Sequence, residues 1–239
     1  MTLRFFSGRW WDGARFWDGE GWRDQAGRIT PQALARGPGD GGCPVPCFTP
    51  GSLVTTGRGT LPIEALRPGD RVATRDDGLQ PLVWIGQNFL GPDRLGATPD
   101  LMPIRFAAGS LGDGLPANDI VVSPQHRMLC TGDRADRLFG EPEVLVAARH
   151  LTALPGVERQ PVLAVTYLHL MFERHQVIMV DGVWSESFQP GDWVAEAMDA
   201  AQRDEILAIF PELAERPAAE VYPAARRGLK RHEARLLVA

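Results

Sequence analysis

Residues 47–78 read CFTPGSLVTTGRGTLPIEALRPGDRVATRDDG. A cysteine, Cys47, follows a proline, Pro46, and the chain beyond it breaks into short extended pieces separated by turn residues. Leu53 to Thr56 is short and β-branched, Thr60 to Leu66 carries Ile63 and Leu66, Pro68-Gly69-Asp70 is a turn, and Arg71 to Thr74 extends again. The stretch predicts a tight β meander that begins at a thiol.

Downstream the same grammar continues. Apolar alternation around Val83, Trp84 and Ile85 predicts a strand within Gln80–Leu90, and a loop is expected from Gly91 to Leu101. DIVVSPQHRMLC, residues 119–130, reads as a strand interrupted at Ser123-Pro124-Gln125-His126, because Pro124 has no N–H for a ladder. Val144–Ala148, Val162–Phe172 and His175–Val180 are further strands. The fold class expected is all-β, with many short strands in one folded-over assembly. From Gly191 the period changes: Val194, Met198, Ala201, Ile206, Leu207 and Phe210 recur at helical spacing, and ARRGLKRHEARLLVA at residues 225–239 is a second helical candidate.

Upstream lies a different text. RWWDGARFWDGEGW at residues 9–22 sets Trp10, Trp11, Trp17 and Trp22 among Asp-Gly and Gly-Glu-Gly steps, which predicts one or two small hairpins. The plain role for these rings is to cover a small apolar surface; a sugar or peptide platform is the sharper one. PQALARGPGDGGCPVP, residues 31–46, has linker composition and delivers the backbone to Cys47. The expected organisation is a Trp-rich segment and linker over 1–46, a β domain over 47–189 and a helical tail over 190–239.

Composition bounds the chemistry. Lys and Arg number 25 against 30 Asp and Glu, a net charge of -5, so nucleic acid is not the expected partner. Three cysteines, Cys43, Cys47 and Cys130, are too few and of the wrong parity for a disulfide framework. A Cys43/Cys47 zinc site has weak spacing, and no metal or cofactor is expected. The N-terminus has no apolar core of signal-peptide length, and no run reaches the roughly 18 apolar residues of a membrane span. A soluble chain is expected, with the bacterial cytoplasm or non-classical export as its setting.

For a peptide bond to rearrange at Cys47, the thiolate must attack the Pro46 carbonyl and the departing nitrogen must gain a proton. Histidine is the natural proton carrier, and the chain offers His126, His150, His169, His175 and His232.

A family resemblance separates them. Cys47, Phe48, Gly51, Val54, Thr56, Gly59, Ile63, Glu64, Leu66, Gly69, Asp70 and Val72 resemble, in one register, the opening motif of the Hint domain. That is the self-processing module shared by inteins and Hedgehog autoprocessing domains. Ser123-Pro124-Gln125-His126 resembles its Thr-x-x-His motif, with serine in the threonine position. The resemblance implies that His126 protonates the scissile Pro46–Cys47 amide and that Ser123 holds its geometry. VTYLHLMFERHQVIMVDG, residues 165–182, resembles the late motif: His169 stands where many members carry an aspartate, and His175 matches the late histidine. Inteins end on His-Asn, whereas here Gly182 is followed by Val183-Trp184-Ser185-Glu186-Ser187-Phe188, so splicing is not expected.

The resemblance therefore implies self-cleavage by an N-to-S acyl shift at Pro46–Cys47. The chain's own N-terminal segment would be the substrate, and water or another small nucleophile the acceptor. Two readings of other classes stay open. One is a non-catalytic binding or anchoring module, with a protein partner at the Trp-rich head or at the basic tail of Arg226, Arg227, Lys230, Arg231 and Arg235. The other is a thiol hydrolase acting in trans through Cys47 and His126.

Overall fold

The computed structural model describes residues 46–191 and 200–238, together with the backbone of four short strands nearer the N-terminus. Those four, β1 (Arg4–Phe6), β2 (Arg9–Trp11), β3 (Phe16–Trp17) and β4 (Trp22–Arg23), pair antiparallel in sequence order. Their register sets Trp10 opposite Trp17 and Trp17 opposite Trp22, and the three successive pairings are one more than the one or two hairpins expected. Cys43 and the helical positions Val194 and Met198 lie outside the described residues.

The stretch that opens at Cys47 folds as a meander. Strand β5 (Leu53–Thr56) turns into β6 (Gly59–Pro62) with Thr56 opposite Gly59, and Gly59 takes the left-handed φ of 98° that this tight reversal needs. The extended piece expected through Leu66 stops at Pro62. Ile63–Ala65 form a 3-10 turn that drops the Ile63 side chain into the core, while the Ile63 N–H is taken by the Ser52 carbonyl. Strands β7 (Arg71–Thr74) and β8 (Gly78–Pro81) complete the meander.

The largest sheet brings the two ends of the β domain together. Strand β16 (Val177–Val180) pairs with β17 (Val183–Glu186) on one side and meets β5 and β7 on the other, with Val180 opposite Val54. Beyond β17 the sheet continues through β12 (Arg127–Thr131) to β13 (Glu143–Ala147). A separate ribbon joins β9 (Trp84–Leu90) to β15 (Val165–Met171) over seven paired positions, with His169 directly opposite Gly86. Strand β11 (Ile120–Val122) belongs to a third, three-stranded sheet with β10 (Ile104–Phe106) and β14 (Val157–Arg159).

Val54, Ile63, Val72, Ile104, Val122 and Ile178 are fully buried in the main core, each contributing about 1.5–3 kcal/mol through burial. A second apolar cluster forms over the β9–β15 ribbon and includes Cys47, Trp84, Tyr167, Phe188, Ile206 and Tyr222.

Two short helices stand where no helix was expected. Helix α1 (Pro92–Ala97) starts on a proline, whose fixed φ suits the first helical position, and buries Leu95. Helix α2 (Asp133–Phe139) lies between Gly132 and Gly140, the latter left-handed at φ 70°.

After residue 199 the chain lies back on the β domain. Helix α3 (Ala200–Ile209) buries Ile206, and helix α4 (Ala218–Val221) leads to the buried Tyr222. Arg226 bridges Asp76 and Glu143, and Arg227 pairs with Glu233 of helix α5 (Arg231–Val238) and lies over the Phe139 ring. Among the described residues, no helix is long and apolar enough to cross a membrane.

Candidate active site

Backbone pairing holds Cys47 in place. The next residue, Phe48, bridges Leu168 of β15 on one side and Val122 of β11 on the other. With Leu168 it exchanges both hydrogen bonds, at 3.0 and 2.8 Å. The residue beyond Val122 is Ser123 and the residue beyond Leu168 is His169, so the two strands deliver these side chains to the Pro46–Cys47 peptide bond.

Ser123 grips that bond from one side. Its backbone N–H donates to the Cys47 carbonyl at 2.9 Å, and its hydroxyl oxygen accepts from the Cys47 N–H at 3.0 Å. His169 meets it from the other. The His169 Nδ1 lies 3.1 Å from the Pro46 carbonyl oxygen, and Nε2 lies 3.8 Å from the Cys47 Sγ. A carbonyl can only accept, so Nδ1 carries the hydrogen and Nε2 presents its lone pair to the thiol. One imidazole thus touches both the nucleophile and the carbonyl next to it. Burial pushes His169 down to about 4, against a smaller upward pull from the Pro46 carbonyl, so the ring is neutral at neutral pH.

The surroundings are dry. Cys47 is 1% exposed, and Pro46, Ser123 and His169 are buried with it. The indole of Trp84 stacks 17° from the His169 plane at 6.2 Å, and the Phe188 ring meets His169 edge-on at 5.1 Å. Phe188 reaches this place because its N–H pairs with the Leu170 carbonyl of β15.

His126 sits one turn beyond Ser123, its N–H bonded to the Ser123 carbonyl and its ring against Phe48 at 4.3 Å. Both its ring nitrogens are buried without a hydrogen-bond partner among the described residues. Burial, helped by the charge of Arg127, pushes it down to about 3. An unsatisfied buried polar group costs about 1–3 kcal/mol, and such groups call for an explanation.

His175 makes its contacts elsewhere. Its Nδ1 accepts the backbone N–H of Ala225 at 2.9 Å, so the ring hydrogen is on Nε2, which lies 3.6 Å from Glu186 Oε2 and beyond hydrogen-bond reach. Glu186, fully buried, accepts the Arg127 N–H at 2.8 Å and pairs with the Arg127 guanidinium at 3.2 Å. The structure thus brings Cys47, Ser123 and His169 together at one bond, sets His126 beside them and turns His175 toward the C-terminal segment.

Cys130 is partly buried, and burial pushes its thiol up to about 12, so it is protonated at neutral pH. Among the described residues no group of three or more His, Cys, Asp or Glu could hold a metal ion. Trp84, Phe188 and the tail residues around Cys47 carry no motif. The one signal that could have pointed to them is Trp84-x-Gly86, an aromatic two positions from a glycine on a strand.

A family model described as the Hint domain matches residues 46–192. No curated protein matches the chain. Among solved structures, a bacterial intein-like domain from Clostridium thermocellum is similar at 11% identity and a TM-score of 0.35, over 59% of this chain and 97% of that one. A DnaB intein from Synechocystis sp. PCC 6803 is similar at 11% identity and a TM-score of 0.36, over 59% and 98%. The gp41-1 intein is similar at 9% identity and a TM-score of 0.36, over 59% and 97%.

Proposed function

Because the chain belongs to the Hint domain family, whose fold supports autoprocessing in general, we propose that it cleaves itself at Pro46–Cys47 by an N-to-S acyl shift, without splicing. The observation that carries this reading is the single His169 ring set against both the Cys47 Sγ and the Pro46 carbonyl oxygen.

The thiol proton passes to His169 Nε2, and the thiolate sulfur bonds to the Pro46 carbonyl carbon. The oxygen that gains charge faces Nδ1–H, now part of an imidazolium, as an oxyanion should. Collapse breaks the bond from the Pro46 carbon to the Cys47 nitrogen and leaves a thioester and a free amine. The nitrogen gains one proton as the sulfur loses one, so the shift consumes no acid from solution. Ser123, whose hydroxyl oxygen accepts the Cys47 N–H, and His126 beside it form the route by which the proton taken up by His169 returns to that nitrogen, His126 receiving a proton at one ring nitrogen as it passes one on from the other, so that both rings end neutral. Water or a small thiol then attacks the thioester, giving residues 1–46 and 47–239. His175 is assigned no step.

The 1% exposure of Cys47 favours a substrate already in the chain over one that must diffuse in, and so argues against a hydrolase acting in trans. At the far end, Phe188 lies against His169, and a phenyl ring cannot cyclise as an asparagine does, which supports cleavage without ligation. The test is to incubate the purified chain with and without dithiothreitol and follow its mass. Thiol-dependent release of a fragment spanning 1–46 is expected. An intact chain under thiol with no trapped thioester would overturn the reading and leave the fold as a binding or anchoring module.

A further inference from the structure

We propose that Trp84 is the positioning residue that fixes the His169 imidazole, and that helix α3 sets Trp84 through Glu205. The inference rests on His169 being the group that activates Cys47.

The argument starts from Gly86. It faces His169 across the β9–β15 ladder, and the space a side chain would fill there is already taken. A Cβ at position 86 would stand 2.0 Å from Trp84 Cη2 and 2.5 Å from Cζ2, inside any allowed contact. The indole of Trp84, two residues earlier on the same face of the strand, therefore lies across the bare backbone of Gly86 and reaches the imidazole opposite. Its plane is 17° from that of His169, while Phe188 meets the imidazole edge-on at 68°. Packed against two rings that also meet each other at 5.7 Å, the imidazole keeps the one orientation in which Nδ1 meets the Pro46 carbonyl and Nε2 meets Cys47.

The indole is tethered in turn. Trp84 Nε1–H donates to Glu205 Oε2 at 2.8 Å, and the neighbouring Ile206 is fully buried in the cluster that holds Cys47 and Trp84. Gln202, one turn earlier, donates to the Gln87 carbonyl of β9. Helix α3, whose Glu205 lies 121 residues from Trp84 in sequence, thus reaches the reacting bond through four groups in succession: Glu205, Trp84, His169 and Cys47. A tryptophan that only filled space would need neither the bare glycine nor the carboxylate on its nitrogen.

Two readouts on the full chain test this. One is the titration of the His169 imidazole nitrogens by NMR in a Cys47→Ala background, where no cleavage intervenes. The other is the cleavage rate in chains that keep Cys47. Trp84→Leu is expected to let water to the ring, raising the His169 midpoint from about 4 by about one pH unit and slowing cleavage about tenfold. That slowing is less than the hundredfold a 1 Å misplacement can bring. Glu205→Ala should show a smaller change in the same direction, about threefold, and Glu205→Gln, which keeps a carbonyl oxygen for the indole N–H, should restore the wild-type values. Glu205 is exposed, so this pair keeps the test sound if Trp84→Leu does not fold. Unchanged midpoint and rate in Trp84→Leu and Glu205→Ala, or a Gln variant as impaired as the Ala, would overturn the proposal. A wild-type chain that never cleaves while its His169 midpoint still follows Trp84 and Glu205 would sink the reaction and keep the positioning; normal cleavage with an unresponsive midpoint would do the reverse.

Discussion

His169 and His175 lie six residues apart, both are buried, and the fold uses them in opposite ways. His169 stands in the middle of a paired strand and points at a peptide bond, with one nitrogen on a carbonyl and the other on a thiol. His175 stands at the turn after that strand and accepts a backbone N–H from Ala225, with a carboxylate behind it. Burial alone therefore does not separate a reactive histidine from a structural one. What each nitrogen faces does: atoms that change bonding in one case, atoms that only need a partner in the other.

The sharpest way to break this contrast is to remove the nucleophile. Cys47→Ala should abolish thiol-dependent cleavage entirely, read as the persistence of intact mass; any remaining release at Pro46 would place the chemistry elsewhere. Next in size, His169→Ala should slow cleavage about a hundred- to ten-thousandfold, the usual worth of a positioned proton carrier.

Acid comes next. Both His126, at about 3, and His169, at about 4, lie below the ordinary histidine value in the folded chain, so the unfolded chain binds protons first as pH falls. Stability is full above about pH 6.5 and is lost below it, with a slope approaching about 1.4 kcal/mol per pH unit for each ring until its folded value is passed. Urea midpoints measured from pH 7 to pH 4 check this, and a flat profile would contradict the burial of both rings. Cleavage should fade over the lower end of the same range as His169 Nε2 becomes protonated.

A smaller effect separates the two histidines directly. His175→Ala should lower stability by about 1–3 kcal/mol, the cost of leaving the Ala225 N–H unpaired, while the cleavage rate at neutral pH stays within about threefold. A loss of rate to match His169→Ala would erase the distinction. Comparable in stability, Ser123→Ala takes the hydroxyl from the buried N–H of the scissile bond and should slow the shift about tenfold while lowering stability by about 1–3 kcal/mol, read by rate and urea midpoint together.

Much of the fold could be read from turn chemistry. Gly59, Gly69 and the pairs around Pro68 punctuate the meander because left-handed backbone and proline geometry act within a few residues. Helix α2 escaped because seven residues give less than two full turns of periodicity; the glycines at 132 and 140 were its only marks. At the site, Cys47, Ser123, His126 and His169 were legible because each sits in a short motif. Trp84, Phe188 and Glu205 were not: Trp84 meets His169 from a different strand, Glu205 reaches Trp84 from a helix 121 residues on, and Phe188 reaches His169 from outside any strand. No local pattern encodes the stacking of an indole on an imidazole from another strand.

The cover over Cys47 has a kinetic side. With 1% of the residue exposed beneath the cluster that includes Ile206 and Tyr222, a reagent in solution meets the sulfur only when that cover lifts. The rate at which a thiol-alkylating probe marks Cys47 then measures the population of that opening, as amide exchange measures the opening of a hydrogen bond. The sulfur is a built-in gauge of how firmly that cluster is packed.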